Sequence, residues 1–189
     1  MRKADKIKFE LMRYCPNHAW DIVIPNYFVG WYEMDVFKLM QSLFIVEYEI
    51  KISRSDFFAD FKKDLGAKHV QMQKGRCECN RFYFVVPQNM IRVHEVPSYA
   101  GLIYWNGRCF YTVKNAPLLH KRKQPESIYI SLAKKLSFRS QLMEQKYRAE
   151  VKKRLQKEKE ASKTDTSTVL SFKNKKQGAL PTDLADSAS

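Results

Sequence analysis

Four charged side chains interrupt residues 33–63, which otherwise have the pattern of a strand, a tight reversal, a second strand and a helix. Asp35 lies on the first predicted strand, and Glu47, Glu49 and Lys51 lie on the second. Side chains alternate across a strand, so these last three share one face, opposite the apolar side chains of their strand. A buried charge is unfavourable unless it is paired or binds a metal. The pattern therefore predicts either an open cleft or a polar site on this face.

Strand register decides whether Asp35 joins that site. If Asp35 pairs opposite Glu49, the two side chains lie within about 5 Å on one face. A slip of one residue would send Asp35 to the other face. In the first register, the two carboxylates and the main-chain carbonyl of Ile50 supply hard oxygen ligands of the kind that Mg²⁺ or Mn²⁺ prefers. Lys51 would project beside Glu49, where it could orient water and stabilise charge on an attacked phosphate.

These residues predict a metal-dependent phosphodiesterase site in which Asp35, Glu49 and Lys51 are catalytic. The alternative is an exposed Glu49–Lys51 ion pair on a half-solvated sheet, which contributes little to stability. We favour the site because Asp35 and Glu47 would otherwise crowd the same face with acid. Glu10, on a predicted helix over 4–14, has a simpler interpretation as a surface partner of Lys6 or Arg13.

The net charge of +14, from 34 Lys and Arg against 20 Asp and Glu, favours an anionic partner. Nucleic acid is more typical than a membrane surface, and a solvated basic surface is the plain alternative. No secretory signal and no run of about 18 apolar residues is evident, so we expect a cytoplasmic protein with no membrane partner. Its cysteines are then reduced, with Cys77 and Cys79 as buried thiols and not a zinc site.

The remaining pattern predicts an α/β fold, a mixed sheet flanked by helices. Ile22 to Ile24 is a short extended piece ended by a turn at Pro25-Asn26, and Gln41-Ser42 reverses the chain. Ser53 and Asp56 have the spacing of a helix cap, and that helix should end at Gly66. Residues 68–76 are predicted as a basic loop, with His69 and His94 as loop or surface histidines.

Residues 81–86 have the composition of a strand buried on both faces, and Asn106-Gly107 predicts a hairpin. Three regions follow: a globular domain over 1–125, a basic helix over 126–161 and a disordered tail over 162–189.

Residues 33–114 resemble the PD-(D/E)XK nuclease superfamily, and in particular its MmcB-like DNA-repair branch. The resemblance rests on VEYEIKISRSDFFADFKK, then CNRFYFVVP, then VPSYAGLIYW. That branch has a Glu-x-Lys strand, then Ser-x-x-Asp-Phe and Asp-x-Lys on the next helix, then an aromatic strand ending at proline. Two departures are Glu-Met-Asp where the superfamily has Pro-Asp, and Asn80 where the branch usually has an acid.

The resemblance implies a restriction-endonuclease-like core that uses Mg²⁺ or Mn²⁺ on DNA. It makes Asp35 and Glu49 metal ligands and Lys51 a catalytic residue, with Ile50 adding its main-chain carbonyl to the metal. Further acids to consider are Glu10, matching the superfamily's first-helix glutamate, Glu33 and Glu47. The residues expected to support the site or touch phosphate are Ser53, Arg54, Asp56, Asp60, Lys62, Lys63 and Lys68.

Three functions follow from this pattern. The first is a divalent-metal-dependent DNA endonuclease or DNA-repair nuclease. The second is a protein of nuclease fold that binds nucleic acid without cutting it, and the third, weaker one binds RNA through the basic helix. The sequence leaves open the substrate structure, the pathway and the oligomeric state, a homodimer included.

Overall fold

The computed structural model describes residues 2–14, 20–29, 32–62 and 67–177, with side chains up to residue 160. The fold is α/β, with a six-stranded mixed sheet flanked by helices and a long C-terminal helix. The elements are α1 (Lys3–Tyr14), β1 (Ile22–Val29), β2 (Tyr32–Leu39), β3 (Ile45–Ile50), α2 (Arg54–Asp60), α3 (Ala67–Gln73), β4 (Arg81–Pro87), a 3₁₀ turn (Val93–Glu95), β5 (Ala100–Trp105), β6 (Phe110–Lys114) and α4 (Ile128–Gln177).

The six strands lie in the sheet in chain order, from β1 to β6. The pairs β1–β2, β2–β3 and β5–β6 are antiparallel, whereas β3–β4 and β4–β5 are parallel. The parallel pairs require crossovers, and α2 with α3 supplies the one between β3 and β4. The predicted hairpin at Asn106-Gly107 is confirmed, with Gly107 at φ 96°.

One face of the sheet packs against α1, as the spacing of its apolar residues predicted. Ile7 and Leu11 are fully buried with the side chains of Val46, Tyr48 and Ile50. The alternation along β3 is therefore confirmed, with its apolar side chains towards α1. Glu47, Glu49 and Lys51 consequently point to the opposite face.

The opposite face is covered by α2 and α3. The ring of Phe57 on α2 lies 4.7 Å from that of Phe84, and the ring of His69 on α3 lies 6.0 Å from that of Phe82. All six residues of β3 are buried as a result. The charged row therefore lies beneath two helices and is not an open cleft.

The predicted loop over 68–76 is wrong for most of its length, because α3 occupies Ala67–Gln73. His69 and Met72, three residues apart, form its buried side, so His69 is neither a loop nor a surface residue. The polarity of the segment hid this short apolar stripe. The predicted end of the preceding helix at Gly66 lies outside the described residues, and α2 itself runs to Asp60 with Phe61 as its C-cap.

The predicted turn at Pro25-Asn26 is also wrong, since both residues lie within β1. Pro25 pairs with Val36, and Asn26 has φ 52°, in the left-handed region that asparagine tolerates better than most residues. The irregularity lies opposite Asp35, between the Pro25–Val36 and Tyr27–Met34 pairs. The strand over 81–86 is present as predicted, although Arg81 and Tyr83 are half-buried, and the thiols of Cys77 and Cys79 are buried as predicted.

Chain contacts divide the protein into two units, Met1–Ile128 and Tyr129–Ser189. The boundary falls after the first residue of α4, and that helix continues from Ile128 to Gln177, past the predicted end at residue 161. The assigned helix thus includes residues 162–177 of the predicted tail, and neither proline nor glycine occurs between Pro125 and Gly178 to end it. The rest of the predicted tail, 178–189, lies outside the described residues. No helix in the described part of the chain is both long and apolar enough to cross a membrane.

Candidate functional site

The register of β2 and β3 is the one that the site requires. Val36 pairs with Tyr48 and Phe37 with Glu47, and continuing the ladder by one residue sets Asp35 opposite Glu49. The ladder ends at the Val36–Tyr48 pair, so the two strands separate at Asp35.

The carboxylate of Asp35 lies beside the peptide group that joins Glu49 to Ile50. Its Oδ2 accepts a hydrogen bond of 2.9 Å from the backbone amide of Ile50. Its Oδ1 lies 2.8 Å from the ammonium of Lys8 on α1, which also donates to Asn26 at 2.7 Å. The Asp35 side chain is 29% exposed, so this end of the site is open to solvent.

The carboxylate of Glu49 is held by two lysines from opposite ends of the cluster. Its Oε1 lies 2.8 Å from the ammonium of Lys51, and its Oε2 lies 2.7 Å from that of Lys68. These contacts fix the direction of the carboxylate. The predicted pairing of Glu49 with Lys51 on one face is confirmed, but the pair is buried and not solvated.

Lys51 lies between two acids and stays positively charged. Its ammonium contacts Glu49 at 2.8 Å and Asp60 on α2 at 2.7 Å, and its side chain is only 3% exposed. Burial alone lowers the pKa of Lys51, but the two carboxylates outweigh it and raise that pKa above its usual value. The burial that would neutralise an isolated lysine is offset here by paired carboxylates.

Asp60 is held from its other side by a histidine and a tyrosine. Asp60 Oδ2 lies 3.0 Å from Nε2 of His69, and Nδ1 of His69 lies 3.0 Å from the Tyr99 hydroxyl. Burial raises the pKa of Asp60, but the hydrogen bonds from His69 and Lys51 lower it by a larger amount. The pKa of Asp60 is therefore well below its usual range. A chain of contacts thus runs from Tyr99 through His69 and Asp60 to Lys51.

A second acid, Glu47, lies fully buried beside Lys68. Lys68 Nζ is 2.7 Å from Glu47 Oε1, and the Tyr32 hydroxyl is 3.0 Å from Glu47 Oε2. Burial raises the pKa of Glu47 in spite of Lys68, whereas the pKa of Lys68 is raised by Glu47 and Glu49 against the effect of its own burial. Lys68 therefore supports the site, and its ammonium is directed at carboxylates.

The other predicted acids lie elsewhere. Glu10 accepts a 2.7 Å hydrogen bond from the Trp105 indole nitrogen and lies 3.8 Å from Lys6, and Glu33 is exposed. Neither joins Asp35 and Glu49 through a contact in the described structure.

The predicted residues on α2 divide between structural and surface positions. Ser53 caps the helix and accepts from the amide of Asp56 at 3.2 Å, as predicted. Arg54 pairs with Glu95 on the surface, and Lys62 is exposed. Lys63 lies outside the described residues.

Asn80, the departure from the family pattern, has a structural role. It is fully buried, its Oδ1 accepts from the amide of Ile45 at 2.8 Å, and its Nδ2 donates to the carbonyls of His120 and Arg122 at 3.0 and 2.8 Å. A carboxylate could accept the first bond but could not donate the other two. The Asn80 amide therefore binds the backbone of residues 120–122, which an acid at this position could not do.

Sequence reasoning missed Lys8, His69, Tyr99 and Tyr32. For Lys8 the sequence holds a weak indication, since Lys8 follows the buried Ile7 on α1. A long side chain at such a position can extend along the apolar surface to a polar group. His69 and Tyr99 are 30 residues apart, and no local pattern links them. Only the packing of α3 across β4 brings them together.

Hard oxygen donors of the kind that divalent ions bind lie near the Glu49–Ile50 peptide. No group of three or more His, Cys, Asp and Glu side chains suited to a metal occurs within the described ranges. Asp35, Glu49 and the Ile50 carbonyl nevertheless offer hard oxygen donors, and Mg²⁺ commonly binds one or two carboxylates and completes its shell with water or phosphate. Since the Lys8 ammonium lies 2.8 Å from Asp35 Oδ1, an ion at that carboxylate would compete with it.

Comparison with known proteins gives a fold and no family. No family model and no curated protein matches the sequence. A solved structure described as SPO1766, a protein of unknown function from Silicibacter pomeroyi, matches with a TM-score of 0.55 and 18% identity. The match covers 76% of this chain and 90% of that one. At this identity the similarity concerns the fold alone.

Proposed function

We propose that this protein is a divalent-metal-dependent DNA endonuclease or DNA-repair nuclease with a restriction-endonuclease-like core. The observation that carries the proposal is the position of Asp35, whose carboxylate bonds to the Ile50 amide between Glu49 and Lys51. Two carboxylates and an ammonium are thereby brought to the short segment from Glu49 to Lys51. Phosphodiester hydrolysis requires such groups and no covalent nucleophile.

In this proposal Asp35, Glu49 and the Ile50 carbonyl hold one Mg²⁺ or Mn²⁺, which when bound lowers the pKa of a water and offsets phosphate charge. Lys51 supplies a fixed positive charge beside Glu49, stabilising the negative charge that develops on phosphate. Asp60 holds Lys51 from behind at 2.7 Å, and His69 holds Asp60 at 3.0 Å. The ammonium is therefore oriented before substrate arrives.

DNA as the partner is supported by charge. The chain carries a net charge of +14, and the described part of α4 has exposed basic side chains along its length, including Lys134, Lys146 and Lys152. Contacts of this kind neutralise phosphates without reading sequence.

The test is nicking of supercoiled plasmid DNA by the full chain in the presence of Mg²⁺, which commonly binds through one or two carboxylates. We compare the wild type with Asp35→Asn and Lys51→Met, using Lys6→Met, a lysine on α1 that lies 3.8 Å from Glu10, as the control. Nicking should be lost in the first two and retained in the control, while DNA binding persists in all. Equal nicking by wild type and Asp35→Asn would refute the assignment.

A second function, nucleic-acid binding without cleavage, is favoured by one observation. The ammonium groups of Lys8, Lys51 and Lys68 are paired with the carboxylates of Asp35, Glu49 and Glu47 and offset their charge. Calorimetric titration with Mn²⁺ separates the two functions. Binding that is lost in Asp35→Asn supports the nuclease, whereas identical heats for both proteins support the binder.

A further inference from the structure

The ammonium of Lys68 occupies a site built for a cation. It lies 2.7 Å from Glu47 Oε1 and 2.7 Å from Glu49 Oε2. The aromatic rings of Tyr32 and Phe82 lie 5.0 and 5.3 Å from the same nitrogen. We call these four groups the Lys68 cage. Two carboxylates and two ring faces all attract positive charge.

The two carboxylates of the cage require a cation between them. Glu47 is 0% exposed and Glu49 is largely buried, and two neighbouring carboxylates cannot both remain ionised without a counter-charge. Lys68 reaches them from α3, on the far side of the charged row from Lys8. The lysine side chain, itself 16% exposed, closes the cage towards solvent.

We propose that the Lys68 ammonium is the resident second cation of the site, in the place where a second metal ion would otherwise bind. The protein then takes one divalent ion, and the Glu47–Glu49 pair does not bind another. The proposal concerns the proposed nuclease site and rests on that function for its catalytic meaning. Lys68 is a positioning residue that acts through Glu49: it holds Oε2 while Lys51 holds Oε1, so the carboxylate keeps one orientation between the two lysines. Glu47 is then a ligand of the ammonium and not of a metal.

The test counts Mn²⁺ ions bound per full-length chain, by calorimetry and by the loss of free Mn²⁺ signal in electron paramagnetic resonance. Lys68→Met removes the ammonium but keeps the length of the side chain, and should bind one more Mn²⁺ than the wild type. The double variant Lys68→Met with Glu47→Gln should return to the wild-type count. Lys68→Arg, which retains a cation, should also match the wild type.

Lys38→Met is the matched control, because Lys38 is a buried lysine paired with Asp21 at 2.9 Å outside this cluster. Its Mn²⁺ count should equal that of the wild type, which separates the effect from general loss of a buried ion pair. A folded Lys68→Met that binds no additional ion overturns the proposal. If Lys68→Met does not fold, Glu47→Gln alone tests the proposal. The proposal requires that Glu47→Gln binds as many Mn²⁺ ions as the wild type, and the loss of one ion overturns it.

Failure of this proposal is distinguishable from failure of the nuclease function. The extra ion is counted relative to the wild type, whether the wild type binds one Mn²⁺ or none. A wild type that binds no ion and cuts no DNA would refute the nuclease, while a gain of one ion in Lys68→Met would still identify Lys68 as the resident cation.

Discussion

Asp35 Oδ2 accepts a 2.9 Å hydrogen bond from the backbone amide of Ile50, one residue beyond the last ladder pair of β2 and β3. The side chain thus satisfies a main-chain donor at the point where the strands separate. Asp35 has a structural role in addition to its proposed chemical one. Variants at this position must therefore separate its charge from its hydrogen bond.

Asp35→Asn and Asp35→Ala make that separation. The asparagine amide oxygen can still accept from Ile50, so we expect its free energy of unfolding to fall by only about 1 kcal/mol or less, against about 1–3 kcal/mol for alanine. Both variants should lose magnesium-dependent nicking, because neither retains the carboxylate. Urea denaturation and the plasmid assay measure the two effects, and wild-type nicking by Asp35→Asn would contradict the prediction.

Lys8 competes with any cation at Asp35, since its ammonium lies 2.8 Å from Oδ1. Lys8→Met should therefore strengthen Mn²⁺ binding by about fivefold, the equivalent of about 1 kcal/mol for a partly exposed ion pair. Lys6→Met is the control on the same helix, where Lys6 lies 3.8 Å from Glu10, and it should leave the affinity unchanged. Weaker binding by Lys8→Met would mean that Lys8 supports the ion.

The sequence predicted the charged row because strand alternation is a local rule. Val46, Tyr48 and Ile50 had to share a face, and the structure packs that face against α1. The register that sets Asp35 opposite Glu49 was one of two alternatives, and the apolar pattern of β2 selects it by placing Val36 in the α1 core.

The partners of the row could not be predicted, because they come from distant segments. Lys68 was assigned to a loop, since only His69 and Met72 mark the buried side of a seven-residue helix. Tyr99 meets His69 through the crossover of α3 across the sheet, and Lys8 reaches Asp35 from the opposite helix. Long side chains that pair across layers leave no periodic signal in the sequence.

Lys51→Met should destabilise the protein strongly. It removes the ammonium shared by Glu49 and Asp60 and leaves their buried carboxylates without that counter-charge, a change that typically costs about 3–5 kcal/mol. The exposed Lys62→Met should change the free energy of unfolding by no more than about 0.5 kcal/mol. Equal denaturation midpoints for the two variants would show that Lys51 is not an essential counter-ion.

Tyr99→Phe tests whether the chain from Tyr99 to Lys51 orients the ammonium. Removing one hydroxyl should lower the free energy of unfolding by about 1 kcal/mol. Tyr104→Phe is the matched control, because the Tyr104 hydroxyl bonds to the Ile91 carbonyl, outside the chain of contacts to Lys51. We expect both variants to lose similar stability and only Tyr99→Phe to nick DNA more slowly, with a lower kcat and an unchanged KM. Equal kcat values in the two variants would assign Tyr99 a purely structural role.

Asp60 should make the protein sensitive to acid in a predictable pH window. Hydrogen bonds from His69 and Lys51 hold its pKa well below the ordinary 3.8, despite burial. A depressed carboxyl pKa contributes stability that is fully present above the unfolded value and is lost as pH falls through the folded one. Asp60→Asn should therefore be less stable than wild type at pH 7, by on the order of 2 kcal/mol for a depressed carboxyl pKa of this kind.

The decisive measurement is the difference between the two urea-unfolding curves as a function of pH. At about pH 5 the full contribution of Asp60 should still be present, since an ordinary aspartate in the unfolded chain is almost fully ionised there. Below about pH 4 the difference should shrink, because wild-type Asp60 then loses the stabilising effect of its charge and the variant has no such charge to lose. Glutamates elsewhere titrate in both proteins and cancel. If the difference in unfolding free energy stays constant down to pH 2, the charge of the Asp60 carboxylate does not stabilise the protein through Lys51 and His69.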